Sequence, residues 1–219
     1  MLIDTPDKVA VVSGNGSCLA FECTKFLLRS GVRVYFVKDD AYQGRIEVEL
    51  LNSLPYRGRA IFVQGNLAYN CSTEKAASDI LSKEKQIHLV IMDLGWSSTD
   101  ASWSNDQSDC HTCKVGQYYL LHLLQPAMMQ VVQSKDHGTI SVRVVLVSSS
   151  GASSSDKHFS DEKLKFGQRE LSFLDETPSI TSALKANGIM VALFHLGNLQ
   201  SDPKDNSRKG SFAHLSRYN

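Results

Sequence analysis

The 219-residue chain has no run of about 18 or more apolar residues, so no membrane-spanning helix is expected. Its first residues, MLIDTPDK, put no basic segment ahead of an apolar one, so no secretory signal is expected either. An excess of one charge is also missing. The 23 basic residues balance 23 acidic ones, and no global field draws the chain to nucleic acid or to a membrane surface. Cysteine is sparse: five residues, odd in number and scattered, suit reduced thiols in a cytoplasmic protein better than a disulfide framework. Cys110 and Cys113 form a CxxC, but the second ligand pair that zinc needs is not evident. No clear strand leads into the pair, as one should for a thioredoxin-like motif. It is read as coincidence, with no metal implied.

What the chain does have begins at Lys8. Val9, Ala10, Val11 and Val12 are a short all-apolar run, as in a strand buried on both faces. Ser13, Gly14, Asn15, Gly16 and Ser17 break it with turn chemistry. From Leu19 the period becomes helical, with Leu19, Cys23, Phe26 and Leu27 on one face. A strand, a glycine-bearing turn and a helix start a βαβ unit, whose helix N-terminus offers free N–H groups to a phosphate. A dinucleotide fingerprint wants three glycines. Gly14 and Gly16 are present, while Cys18 and Ala20 stand where later glycines are expected. Two readings stay open: a nucleotide site at Gly14, Asn15, Gly16 and Ser17, or an ordinary βα turn.

Val32 to Val37 reads as a second buried strand, introduced by Gly31. Lys38, Asp39 and Asp40 follow it. An acidic residue here grips a ribose 2′-hydroxyl and a basic one favours a 2′-phosphate, so Lys38 leans to NADP; a solvated loop is the alternative. Tyr42 to Leu54 is expected to be a helix ended by Pro55, and Ala60 to Val63 a strand closed by Gly65 and Asn66. Thr73 to Ser82 is a helix with Ser72 or Thr73 as its cap. Ile87 to Met92 is a strand ended by Asp93, Leu94 and Gly95, and the polar stretch Trp96 to Asp109 is a loop. Lys114 to Val132 is a long helix with Tyr118, Leu121, Leu124 and Met128 at helical spacing, and Pro126 should bend or bound it. Val142 to Val147 is a fifth strand, followed by Ser148, Ser149 and Ser150. After a polar stretch with a candidate helix from Lys163 to Leu174, Ile180 to Ala186 is helical. Ile189 to Phe194 is a sixth strand, followed by His195.

Six apolar strands alternating with helices predict an α/β protein. The expectation is one doubly wound Rossmann-like domain over residues 1–200, with a mostly parallel sheet of about six strands, helices on both faces and a polar tail over 201–219. The crevice outside the strands' carboxyl ends would collect the first turn, Lys38, Asn66, Asp93, Ser149 and His195.

Several stretches carry a resemblance. RVYFVKDDAYQG is similar to RVYLACRDxxKG, and LVIMDLG to LVNNAG. VGQYYLLHLLQPAM is similar to LGHFLLTHLLLPLL, RVVLVSSSGA to RIVNVSSxAG, and ANGIMVALFHLGNLQSD to GIRVNAVHPGxVxTD. These are the motifs of the short-chain dehydrogenase/reductases, and nearly the whole chain resembles their retinol-dehydrogenase-like and fungal members. In FVQGNLAYNCS, Asn66 holds the place of the family's aspartate.

The resemblance implies a redox tetrad of Asn, Ser, Tyr and Lys. Ser149 falls on the serine, but Cys113 falls on the Asn. Phe166 and Glu170 fall on the Tyr and Lys; a second placement, Phe159 with Lys163, keeps a lysine and still lacks the phenol. No Tyr-x-x-x-Lys follows Ser149, and the chain stops about where the family continues into its substrate lid. The expectation is a shortened, redox-defective member that binds either no cofactor or NADP. The first reading is a non-redox enzyme (isomerase, cyclase, pericyclic or dehydrating) acting on a small organic metabolite of a biosynthetic pathway, with Ser149, His195, Asp93 and Cys113 as catalytic candidates. The second is a non-catalytic binding or partner subunit, with a homo-oligomer open. The third is an NADP-dependent oxidoreductase using Tyr118, Tyr119 or His195 as proton donor.

Overall fold

The computed structural model describes residues 7–14, 18–93, 108–134, 142–148 and 180–195. Six strands form one all-parallel sheet: β1 (Val9–Gly14), β2 (Arg33–Lys38), β3 (Arg59–Gln64), β4 (Leu89–Asp93), β5 (Arg143–Ser148) and β6 (Met190–His195). Their spatial order is β3-β2-β1-β4-β5-β6, so the winding reverses between β1 and β4. Four helices intervene: α1 (Cys18–Arg29), α2 (Ala41–Ser53), α3 (Asn70–Leu81) and α4 (Ser108–Gln133). Residues 180–186 are also helical.

Alternation along the strands divides the core in two. Val9, Val11, Tyr35, Val37, Val90 and Met92 pack with Ala76 and Ile80 of α3 and with Leu120, Leu124 and Met128 of α4. Ala10, Val12, Val34, Phe36 and Ile91 pack with Phe21, Leu27 and Leu28 of α1 and with Leu51 of α2. Both faces are thus buried over β1, β2 and β4, which is why those strands read as continuous apolar runs; in β6 Met190, Leu193 and Phe194 are exposed.

Four local expectations need correction. The turn after the first strand begins later than expected, because Ser13 and Gly14 remain in β1, paired with β4. In α1 the buried stripe includes Ala20, Phe21, Thr24, Leu27 and Leu28, and Phe26 is exposed. Thr24 can occupy that stripe because its hydroxyl donates to the Ala20 carbonyl at 2.8 Å. Helix α3 starts at Asn70, not Thr73, and its N-cap is Tyr69 with no side-chain cap bond; the Ser72 hydroxyl instead accepts from the Asn66 N–H at 2.9 Å. Helix α4 starts at Ser108, so Cys110 and Cys113 lie inside it, and it continues through Pro126.

Side chains also tie down the rim of the sheet. Asn52 pairs with the β3 edge as a strand would: its Oδ1 accepts from the Ala60 N–H at 2.9 Å and its Nδ2 donates to the Ala60 carbonyl at 3.0 Å. At the amino ends, the buried Glu84 accepts from Arg33 Nη1 at 2.6 Å and from the Tyr35 hydroxyl at 2.8 Å. Burial, then this hydrogen bond, holds the Tyr35 phenol well above the usual range. Beside it, the Val9 N–H donates to His88 Nδ1 at 3.2 Å. None of the described helices is long and apolar enough to cross a membrane.

Candidate functional site

The carboxyl ends of the strands bring Gly14, Lys38, Asn66, Asp93 and His195 to one rim. Gly14 ends β1 and lies opposite Asp93, which ends β4. A Cβ on Gly14 would stand 3.0 Å from both Ala20 Cβ and Asp93 Cβ, so a glycine lets α1 and β4 close on the end of β1. Asp93 is buried, and its carbonyl accepts from Gln117 Nε2 of α4 at 2.9 Å. The same helix comes close to the segment after β3 at Gly116, where any Cβ would run into the Leu67 carbonyl oxygen.

The polar run after β2 divides its work. Lys38 is the last residue of β2 and is buried; its Nζ donates to Glu47 Oε1 of α2 at 2.7 Å. Asp40 is the α2 N-cap, with Oδ1 accepting from the Tyr42 and Gln43 N–H groups at 2.9 Å each. Asp39 is left facing the rim, where Asn66 Nδ2 donates to its Oδ2 at 3.1 Å. Burial, then the neighbouring Asp40, raises the Asp39 pKa. Asn66 is held in turn, its Oδ1 accepting from the Ala68 N–H at 2.9 Å. Asp39, Gln64, Asn66, Cys71, Ser72, Lys75 and Asp79 line a cleft of about 650 Å³.

Three buried side-chain oxygens among the described residues have no hydrogen-bond partner: Ser13 Oγ, Gln117 Oε1 and Glu47 Oε2. Each belongs to this half of the sheet, near the ends of β1, β4 and β2. Ser13 and Gln117 lie on the α3–α4 face of the sheet and Glu47 on the α1–α2 face, so the three do not form one group.

Cys113 is in α4 and His195 ends β6, paired with Ser148; their side chains lie outside the described part. Asn15, Gly16, Ser17 and Ser149 lie outside the described residues, as do Phe159, Lys163, Phe166 and Glu170. The Tyr119 hydroxyl donates to Glu74 at 2.6 Å, which raises its pKa, and Tyr118 packs against the α3–α4 core. Sequence reasoning missed Glu47 and Gln117. Gln117 left one trace, a polar residue within an apolar helix. Glu47 left none, since it meets Lys38 from another element nine positions away.

No family model matches the chain. It is 26% identical over 210 residues to retinol dehydrogenase 11 of Mus musculus, a match covering 91% of this chain and 64% of that protein. It is 28% identical over 153 residues to a short-chain dehydrogenase/reductase of Armillaria gallica, covering 67% of this chain and 48% of the other. The chain thus spans less than two thirds of the length of these curated relatives. A metagenomic short-chain oxidoreductase solved with NADP superposes with a TM-score of 0.64 at 17% identity, over 91% of this chain and 86% of that one. At that identity the likeness concerns the fold.

Proposed function

We propose that this chain, a relative of the short-chain dehydrogenase/reductases of the retinol-dehydrogenase-like type, keeps their nucleotide crevice and uses it for non-redox chemistry on a small organic metabolite. Residues at the carboxyl rim support the reading of an adenine dinucleotide there. Gly14 lets α1 close on the sheet at the winding reversal, and Asn66 and Asp39 front the cleft beyond β2. A bound nicotinamide would supply hydride exchange.

The observation that carries the non-redox reading is chemical. No Tyr-x-x-x-Lys follows Ser149, and Cys113 stands where the resemblance puts an Asn. A phenyl ring has no ionisable proton to deliver as hydride moves. What remains for this chain is to bind, orient and exchange protons. Asp93 is fixed at the β4 end, Ser149 offers a hydroxyl, and His195 a side chain of the type that titrates near neutrality. A second reading, an NADP-dependent oxidoreductase with an atypical donor, draws support from the names of the relatives.

The test pairs nucleotide titration with a panel of alcohols and carbonyl compounds. Binding without any change in reduced nucleotide supports the non-redox reading. Stoichiometric oxidation or reduction of one alcohol–carbonyl pair overturns it in favour of the second.

A further inference from the structure

The two faces of the sheet are not equally covered at β6. Met190, Ala192 and Phe194 pair with Arg143, Val145 and Val147 of β5 and share their face, the one that α1 and α2 cover farther along the sheet. There Met190 is 52% and Phe194 54% exposed, although Val147 beside Phe194 is buried. The opposite face is better served, since Val191, Ile180 and Leu184 join the α4 side of the core. All-parallel sheets occur with both faces covered, so a bare methionine and phenylalanine on one strand leave apolar area for another segment.

The β5–β6 connection is committed elsewhere. Its closing helix, residues 180–186, packs on the α4 face, as a right-handed crossover directs. The chain after β6 lies outside the described residues and ends in SFAHLSRYN, residues 211–219. Phe212, Leu215 and Tyr218 recur every three residues and fall within one arc of a helix, with His214 and Arg217 on the other side. A helix this short does not hold in water by itself, so such a segment takes its form by docking. Residues 196–211 join it to His195 and reach up to about 50 Å when extended, against about 20 Å for the whole of β6. A tether of that kind gives an effective concentration on the order of millimolar, which favours the chain's own end over a second copy.

We infer that residues 211–219 fold back as an amphipathic helix onto the exposed apolar face of β6, seating Phe212, Leu215 and Tyr218 over Met190 and Phe194. The contact is independent of the nucleotide reading.

Hydrogen exchange of the full chain, followed in β6 and in the last residues, tests it. In the wild type the amides of residues 213–218 should exchange about tenfold or more slower than a free coil, at a rate independent of protein concentration. Phe194→Asp should return them to the coil rate. Leu215→Asp should in turn speed exchange in β6 about tenfold and leave β1 and β2 unchanged. Should Phe194→Asp not fold, Met190→Glu serves in its place. Coil-rate exchange of the last residues in the wild type overturns the inference, as does protection that neither strand substitution removes. Protection of β6 that grows with protein concentration, together with a dimer in sedimentation, assigns the face to a second copy and overturns it too.

Discussion

At the amino ends of the strands Glu84 gathers Arg33 and Tyr35, and His88 accepts from the backbone of Val9, so the buried polar groups there answer one another. At the carboxyl ends Ser13 Oγ, Gln117 Oε1 and Glu47 Oε2 are just as buried and answer to nothing among the described residues. The amino rim is arranged to hold the sheet together, whereas three buried polar atoms near the carboxyl ends go unanswered among the described residues. Open α/β sheets place their ligands at the carboxyl rim.

Substitutions at the two rims should therefore differ in kind. The largest effect is expected at Gly116, where a methyl group would meet the Leu67 carbonyl oxygen. Gly116→Ala should lose about 3 kcal/mol or more in urea unfolding, because backbone must move. A near-neutral result would mean that α4 does not set the carboxyl rim.

Glu84→Ala comes next. It leaves the Tyr35 hydroxyl, on a residue only 1% exposed, without an acceptor. A loss of about 2–3 kcal/mol is expected, nearly all of it from that orphaned phenol and little from the half-exposed Arg33. Nucleotide affinity should not move; if it does, the separation of the two rims is wrong.

The amino rim should also respond to acid. The Val9 N–H donates to His88 Nδ1, so the folded state holds the imidazole neutral. Burial first, then Lys8, lowers the His88 pKa from 6.5 to about 4. As pH falls the unfolded chain takes up the proton first. The stabilisation is whole above pH 6.5 and is lost progressively as pH falls toward about 4. For a half-buried ring, screening leaves roughly 1–2 kcal/mol. Urea midpoints measured from pH 7 down to pH 4.5 should show the slope, and His88→Asn, which keeps an acceptor but does not titrate, should flatten it. A slope unchanged in the variant would assign it to other groups.

The smallest stability change is expected at Gln117. Gln117→Leu gives up the bond to the Asp93 carbonyl but also removes an orphaned oxygen, so about 1 kcal/mol or less should be lost. If the carboxyl rim serves a ligand, nucleotide affinity should fall by more than this stability change accounts for. Equal changes in both would make Gln117 merely structural.

Strands β1, β2 and β4 were legible because they are buried on both faces and so read as uninterrupted apolar runs; β6 reads the same way although Met190, Leu193 and Phe194 are exposed. The helices were legible by period but blurred at their starts. Ser72 looks like a cap and yet bonds the Asn66 N–H, because the loop after β3 lies within its reach. Phe26 looks like core and is exposed, because Thr24 satisfies its hydroxyl on its own helix and takes the inward place. Gly14 and Asp93 end β1 and β4 and Asn66 follows β3, places that follow directly from chain order.

The amino-acid sequence by itself determined the alternation of strands and helices, and hence a parallel doubly wound sheet with a crevice at its carboxyl ends. It also determined that no Tyr-x-x-x-Lys follows Ser149. Only the tertiary structure decided what charge that crevice presents beyond β2. Lys38 and Asp39 are neighbours in the chain, but the two-residue period of a strand sends them to opposite faces. There α2 supplies a carboxylate to one, and the loop after β3 supplies an amide to the other.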